Sequence, residues 1–152
     1  SVRAWIGDQL QAGGGAPFAP PGHVDRFFRL ATVGAIVRAL EAAAAEHPAA
    51  FVVSGIGSLV DARLRYAGES AETLIPGPLE IVGIAGSLSV SSAHLHMSVS
   101  DASGRVYGGH VVYGNVIRTT AEILLALLPD WSLTRERDAA TGYDELVVRR
   151  RE

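Results

Sequence analysis

Three of the five histidines fall within seventeen residues, as His94-Leu95-His96 and Gly108-Gly109-His110. Three converging neutral imidazoles suit Zn²⁺ or a similar borderline divalent metal, with a fourth position open for water, an anion or a carboxylate. Catalytic zinc sites are built with such an open position, although an open position does not establish catalysis. The chemistry requires all three rings on one side of the backbone that carries them. On a strand, His94 and His96 share a face, because alternate side chains point the same way. The stretch 94–100 alternates strictly: Leu95, Met97 and Val99 face a core, and the imidazoles lie on the polar side with Ser98 and Ser100.

The intervening turn decides where His110 goes. Asp101-Ala102-Ser103-Gly104 has Asp where a type I turn wants it and Gly where a left-handed bulge residue is needed. A three-residue loop of that kind sets Asp101 opposite Arg105 and His96 opposite His110, with His94 as the diagonal neighbour. A loop one residue longer, or a bulge at Gly108-Gly109, throws His110 to the other side. Two readings of the cluster stand at this point: metal ligands, or polar strand residues bonding across a subunit interface. A carboxylate bonded to the histidines would favour an enzyme, and Glu122 and Asp101 are the nearest candidates.

Other residues carry weaker signals. His23 and His47 sit beside a linker and a helix end and read as surface residues. Gly55-Ile56-Gly57 is half a phosphate-loop pattern and reads as a bend. Glu69 and Glu72 read as solvated loop residues. Arg63 and Arg65, alternating with Asp61, read as a solvated sheet face, with a small anion site as the alternative. No Gly-x-Ser-x-Gly elbow occurs.

The 152 residues are enough for one domain with a sizeable core, and the composition agrees: 48% hydrophobic, 19% charged, mean hydropathy +0.23. Zero cysteines exclude a disulfide scaffold, cysteine-ligated zinc and thiol catalysis. All 13 basic residues are arginine, so a lysine Schiff base and a Walker lysine are excluded as well. A net charge of −3 argues against a broadly basic nucleic-acid binder, and the Arg149-Arg150-Arg151 run is too short to supply that affinity alone. No apolar run is long enough for a helical membrane span, and no signal-peptide pattern opens the chain, so a soluble cytoplasmic protein is expected.

The elements that must position the histidines follow from periodicity. Residues 1–11 could form one or two helical turns, and a Gly/Pro-rich arm over 1–22 precedes a domain over 23–152. A strand is expected at 25–30 and a helix at about 34–46, with Ile36, Val37, Leu40, Ala43 and Ala44 on one face. Pro48 stops that helix. Strands follow at 51–53 and 60–66, separated by a glycine bend, and a loop over 67–78 is closed by Pro76-Gly77-Pro78. Further strands are expected at 79–85, 87–91, 94–100, 105–113 and 144–149. Residues 120–128 are ambiguous, with helical propensity but a strand's length and position. The class is α+β, a mainly antiparallel sheet with one principal helix.

Several of these runs resemble the plants-and-prokaryotes conserved (PPC) domain. They are Gly55 to Arg65, Gly77-Pro78-Leu79-Glu80-Ile81-Val82, His94-Leu95-His96, Asp101 to Val106, Gly108-Gly109-His110, Thr119-Thr120-Ala121-Glu122 and Asp138 to Tyr143. The likeness runs from about Phe28 to Val148, and the histidine motifs are its most specific part. It implies a homotrimer with a central antiparallel sheet, a strand at 120–128, and metal at His94, His96 and His110. Prokaryotic members commonly carry a predicted DNA-binding label, which is similar to an inheritance from plant relatives with a separate Arg-Gly-Arg-Pro hook. These 152 residues contain no such hook. In one departure, Gly34 is followed by Ala35, Ile36 and Val37, where the family usually has an acidic residue. The expectation is therefore a trimeric binding module with a trihistidine metal site, zinc by preference, and a small-molecule or anionic ligand at the metal. The alternatives are a metal-dependent enzyme and a DNA-associated regulator.

Overall fold

The computed structural model describes residues 3–6, 24–31, 36–90 and 92–152. Seven strands form one antiparallel sheet: β1 (Arg3–Ile6), β2 (Val24–Ala31), β3 (Ala49–Arg65), β4 (Thr73–Ser89), β5 (Ala93–Ser100), β6 (Val106–Val111) and β7 (Ile117–Leu127). Their spatial order is β1-β2-β7-β3-β4-β5-β6, and β6 also returns to the end of β3. A separate hairpin pairs β8 (Trp131–Arg137) with β9 (Asp144–Arg150). The one helix among the described residues is α1 (Ile36–Ala44). The α+β expectation, a mainly antiparallel sheet with one principal helix, matches this architecture.

Helix α1 forms because Ile36, Val37, Leu40 and Ala44 recur on one side, and all four are buried. It ends as expected: the His47 amide donates to the Ala44 carbonyl at 2.8 Å, and Pro48 cannot continue the ladder. Its first turn carries no acidic residue. The helix covers the inner face of the sheet, where Val52, Leu59, Leu64, Leu79, Ile84, Leu95, Ile123 and Leu125 complete a continuous core.

Strands β3 and β4 are longer than their sequences suggest. The expected glycine bend between 51–53 and 60–66 is a continuous strand, because bulges absorb the irregularity. The register with β7 shifts between Val52 and Ser54 and again between Gly57 and Leu59. The expected loop over 67–78 is shorter, since β4 begins at Thr73 and runs to Ser89 without the break foreseen near 86, joining the strands expected at 79–85 and 87–91 and ending two residues before the second was expected to. Pro76-Gly77-Pro78 lies inside β4 where the register shifts between Leu59/Leu79 and Asp61/Pro76, so Val60 alone faces Gly77 and Pro78.

Residues 117–127 form strand β7, inserted between β2 and β3. Pairing on both edges, with Ala121, Ile123, Leu125 and Leu127 buried on one face, overrides the helical propensity of this run. Arg3–Ile6 pairs with β2 as a strand, not as helical turns; the Gly/Pro-rich segment after it lies outside the described residues. Strand β8 was not expected, although Leu133 and its neighbours alternate in the manner of a half-buried strand.

Candidate metal centre

The turn between β5 and β6 takes the three-residue form. The Asp101 amide donates to the Arg105 carbonyl at 3.0 Å, the Gly104 amide to the Asp101 carbonyl at 2.9 Å, and Gly104 has φ +79°. The Asp101 carboxylate accepts from the Ser103 amide (2.8 Å), the Ser103 hydroxyl (2.6 Å) and the Arg105 amide (3.1 Å). Tyr107 donates to it as well, at 3.2 Å. These bonds, the Ser103 hydroxyl foremost, hold its carboxyl down to about 2. The resulting register sets His96 opposite His110.

All three rings therefore meet on the outer face of the sheet. Ring centroids lie 4.9 Å apart for His94–His110, 5.2 Å for His94–His96 and 5.7 Å for His96–His110. One nitrogen from each ring lies within 4.8 Å of the other two. Tetrahedral zinc needs nitrogens about 3.4 Å apart, so small side-chain rotations close the set. The Nδ1 atom of His110 is buried and has no hydrogen-bond partner among the described residues. Leaving such an atom unbonded costs about 1–3 kcal/mol, and a metal ion would satisfy it. The donor set, all imidazole with no thiolate, fits zinc and its neighbours.

Close backbone approach sets these positions. Gly86 has φ +146°, and a Cβ there would overlap the His94 carbonyl and stand 2.8 Å from Leu95 Cα. A side chain at Gly109 would sit 2.8 Å from the Arg65 carbonyl, so glycine lets β6 reach the end of β3. Arg65 is thereby the cross-strand partner of His110. From β8, Arg135 donates to the Ser87 hydroxyl at 3.3 Å, and Ser87 is the cross-strand partner of His94.

The surroundings keep two of the rings neutral. Burial lowers the His110 pKa to about 4, assisted by His94, Arg65, His96 and Arg135. Burial also lowers that of His94, with Arg135, His96 and Arg65 acting in the same direction and Glu145 opposing. Neutral imidazole is the form that ligates metal.

The two carboxylates nominated from sequence do not support the histidines. Asp101 spends its oxygens on the turn, and Glu122 is exposed on β7 beside Ile56 and Arg29. An acid that acts on His94 is Glu145, on β9, the strand expected at 144–149, which pairs with the unexpected β8. His47 is half-buried at the end of α1, and His23 lies outside the described residues. Sequence reasoning also missed Asn115, which is fully buried. Its Oδ1 accepts from the Arg63 amide at 2.8 Å, while Nδ2 donates to the carbonyls of Arg63 (3.1 Å) and Val112 (2.7 Å). Its own carbonyl accepts from the first amide of α1, that of Ile36, at 3.0 Å. It thus ties the end of β3 to the β6–β7 connection and to the helix.

Residues 26–129 match the family model of the Plants and Prokaryotes Conserved (PCC, also written PPC) domain. The chain belongs to this family. A curated relative from Synechococcus sp. (strain JA-2-3B'a(2-13)), the bifunctional protein GlmU, is 42% identical over 132 residues, which is 85% of this chain and 21% of that protein. This PCC chain thus spans about a fifth of the curated relatives it matches. Among solved structures, a hypothetical protein from Salmonella cholerae-suis (Salmonella enterica) superposes with a TM-score of 0.82 at 35% identity, covering 86% of this chain and 96% of that one. A protein from Archaeoglobus fulgidus described as metal-containing shares the PCC fold with a TM-score of 0.69 at 21% identity, covering 97% and 98%.

Proposed function

We propose that this PCC domain is a homotrimeric metal-binding module in which His94, His96 and His110 hold one divalent ion, zinc by preference. The observation that carries the reading is the convergence of one nitrogen from each of three imidazoles within 4.8 Å, on rings of which His110 also has a buried and unbonded Nδ1. The description of the archaeal neighbour as metal-containing agrees with it. When bound, the ion would supply Lewis acidity and an open coordination position. The trimer is supported by the outer sheet face, where Phe51, Val53, Ile56 and Val82 stand 40–56% exposed, an apolar surface of the kind that partner subunits cover. Among the described residues no helix is long and apolar enough to cross a membrane, and the absence of cysteine suits a reducing cytoplasm.

A groove of about 470 Å³ opens beside His96, lined by Val53, Ser54, Gly83, Ala85, Ser98 and Gly108 among others. It favours a second reading, in which the ion polarises or activates a small substrate there. Duplex DNA is not expected as a partner, because the net charge is −3.

Elemental analysis of the purified protein tests the first reading. About one metal per chain is expected in the wild type and none in His96→Ala. Wild-type protein that takes up no zinc, cobalt or nickel, and whose melting is unchanged by chelator, would refute it.

A further inference from the structure

We propose that the open side of the trihistidine centre takes a small oxyanion, a carboxylate or phosphate group, with Arg65 and Arg135 recognising its charge. The proposal rests on the metal reading above and assigns that site its ligand class. Two guanidinium groups reach the histidines from different elements. Arg65 is the cross-strand partner of His110, and Arg135 is hydrogen-bonded to Ser87, the partner of His94.

Both arginines beside the histidines leave their charge uncompensated. Arg63 pairs with Glu72 and Arg149 with Glu136, both at 2.6 Å, and Arg105 lies 3.5 Å from Asp101. Among the described residues, neither Arg65 nor Arg135 makes an ion pair. Their hydrogen bonds go to uncharged oxygens instead, the Glu69 carbonyl for Arg65 and the Asp144 carbonyl and Ser87 hydroxyl for Arg135. A divalent ion on the rings adds two further positive charges, and Glu145 opposes the arginines at His94. A half-buried cationic cluster of this kind attracts an anion, and guanidinium forks fit the planar oxygens of carboxylate and phosphate.

The groove sets the rest of the ligand. Apart from His96 its lining has no ionisable side chain, so the body attached to the oxyanion is compact and uncharged.

Cobalt(II)-loaded protein, titrated with acetate and with inorganic phosphate and followed by visible absorption, tests this. In the wild type, cobalt bands should appear and then shift saturably with at least one anion; which one responds identifies the headgroup. Arg65→Gln and Arg135→Gln should keep the anion-free bands yet need about tenfold more anion each. Bands that ignore both anions, or respond equally in wild type and arginine variants, would overturn the proposal and leave the metal reading intact. A spectrum that changes in Glu145→Gln while ignoring anions would make Glu145 the fourth ligand and overturn it too. Failure of cobalt to bind at all would remove both readings.

Discussion

Replacing Gly86 by alanine probes how the site is built. The new methyl would overlap the His94 carbonyl and crowd Leu95 Cα at 2.8 Å, and the backbone angle of +146° is one that side-chain-bearing residues avoid. Strain at such an angle costs about 1–3 kcal/mol, and overpacking about 1–3 kcal/mol more. A total near 3–4 kcal/mol lowers the melting temperature of a domain this size by on the order of 10 °C. The neighbouring strand can relieve the clash only by moving His94 away, so zinc binding should weaken along with stability. Gly83 is the control on the same strand, since nothing lies within 4 Å of a Cβ built there; Gly83→Ala should stay within about 0.5 kcal/mol of wild type. Differential scanning fluorimetry with and without zinc reads both effects. Equal melting of the two variants, or Gly86→Ala with wild-type zinc response, would refute the argument that close approach at Gly86 places His94.

Three further outcomes are expected. In chelator, the folded protein binds fewer protons than the unfolded chain between pH 6.5 and about 4, because burial lowers the His110 imidazole from its ordinary 6.5 to about 4; stability therefore falls as pH drops through that window. After discounting for solvent screening the loss is about 1–2 kcal/mol, and urea midpoints of His110→Asn against pH should lack it. Asn115→Ala leaves the Arg63 amide and the Arg63 and Val112 carbonyls without their partner and should cost about 3 kcal/mol by urea denaturation. Light scattering should give three chains per particle for the wild type and fewer for Ile56→Glu, which puts charge on the exposed apolar face.

What could be read from the chain was what is decided locally. The Asp101–Gly104 turn announces itself because a carboxylate capping three amide or hydroxyl donors and a glycine at φ +79° are properties of five adjacent residues. From that turn the register of β5 against β6, and with it the meeting of the three rings, followed. The strand at 120–128 was reached through family likeness, since neither its alanines and leucines nor its length disclose the two neighbours that pair with it. Bulges concealed the continuity of β3 and β4, because glycine and proline look the same at a bulge as at a chain reversal. Arg135, Glu145 and Asn115 escaped notice for a related reason. Each reaches its partners across tens of residues, and nothing in the neighbouring sequence marks where a folded-back hairpin or a buried amide will land.

The three imidazoles sit on consecutive antiparallel segments joined by one short turn, and their backbones are already laced together by ladder bonds. An ion held there closes no large loop in the denatured chain, so it gains little of the entropic advantage that makes small zinc-dependent folds collapse without their metal. The apolar core under α1 lies on the opposite face of the sheet and needs no such clip. Loading and unloading should thus be reversible events on a standing scaffold, with far-ultraviolet circular dichroism unaltered by chelation.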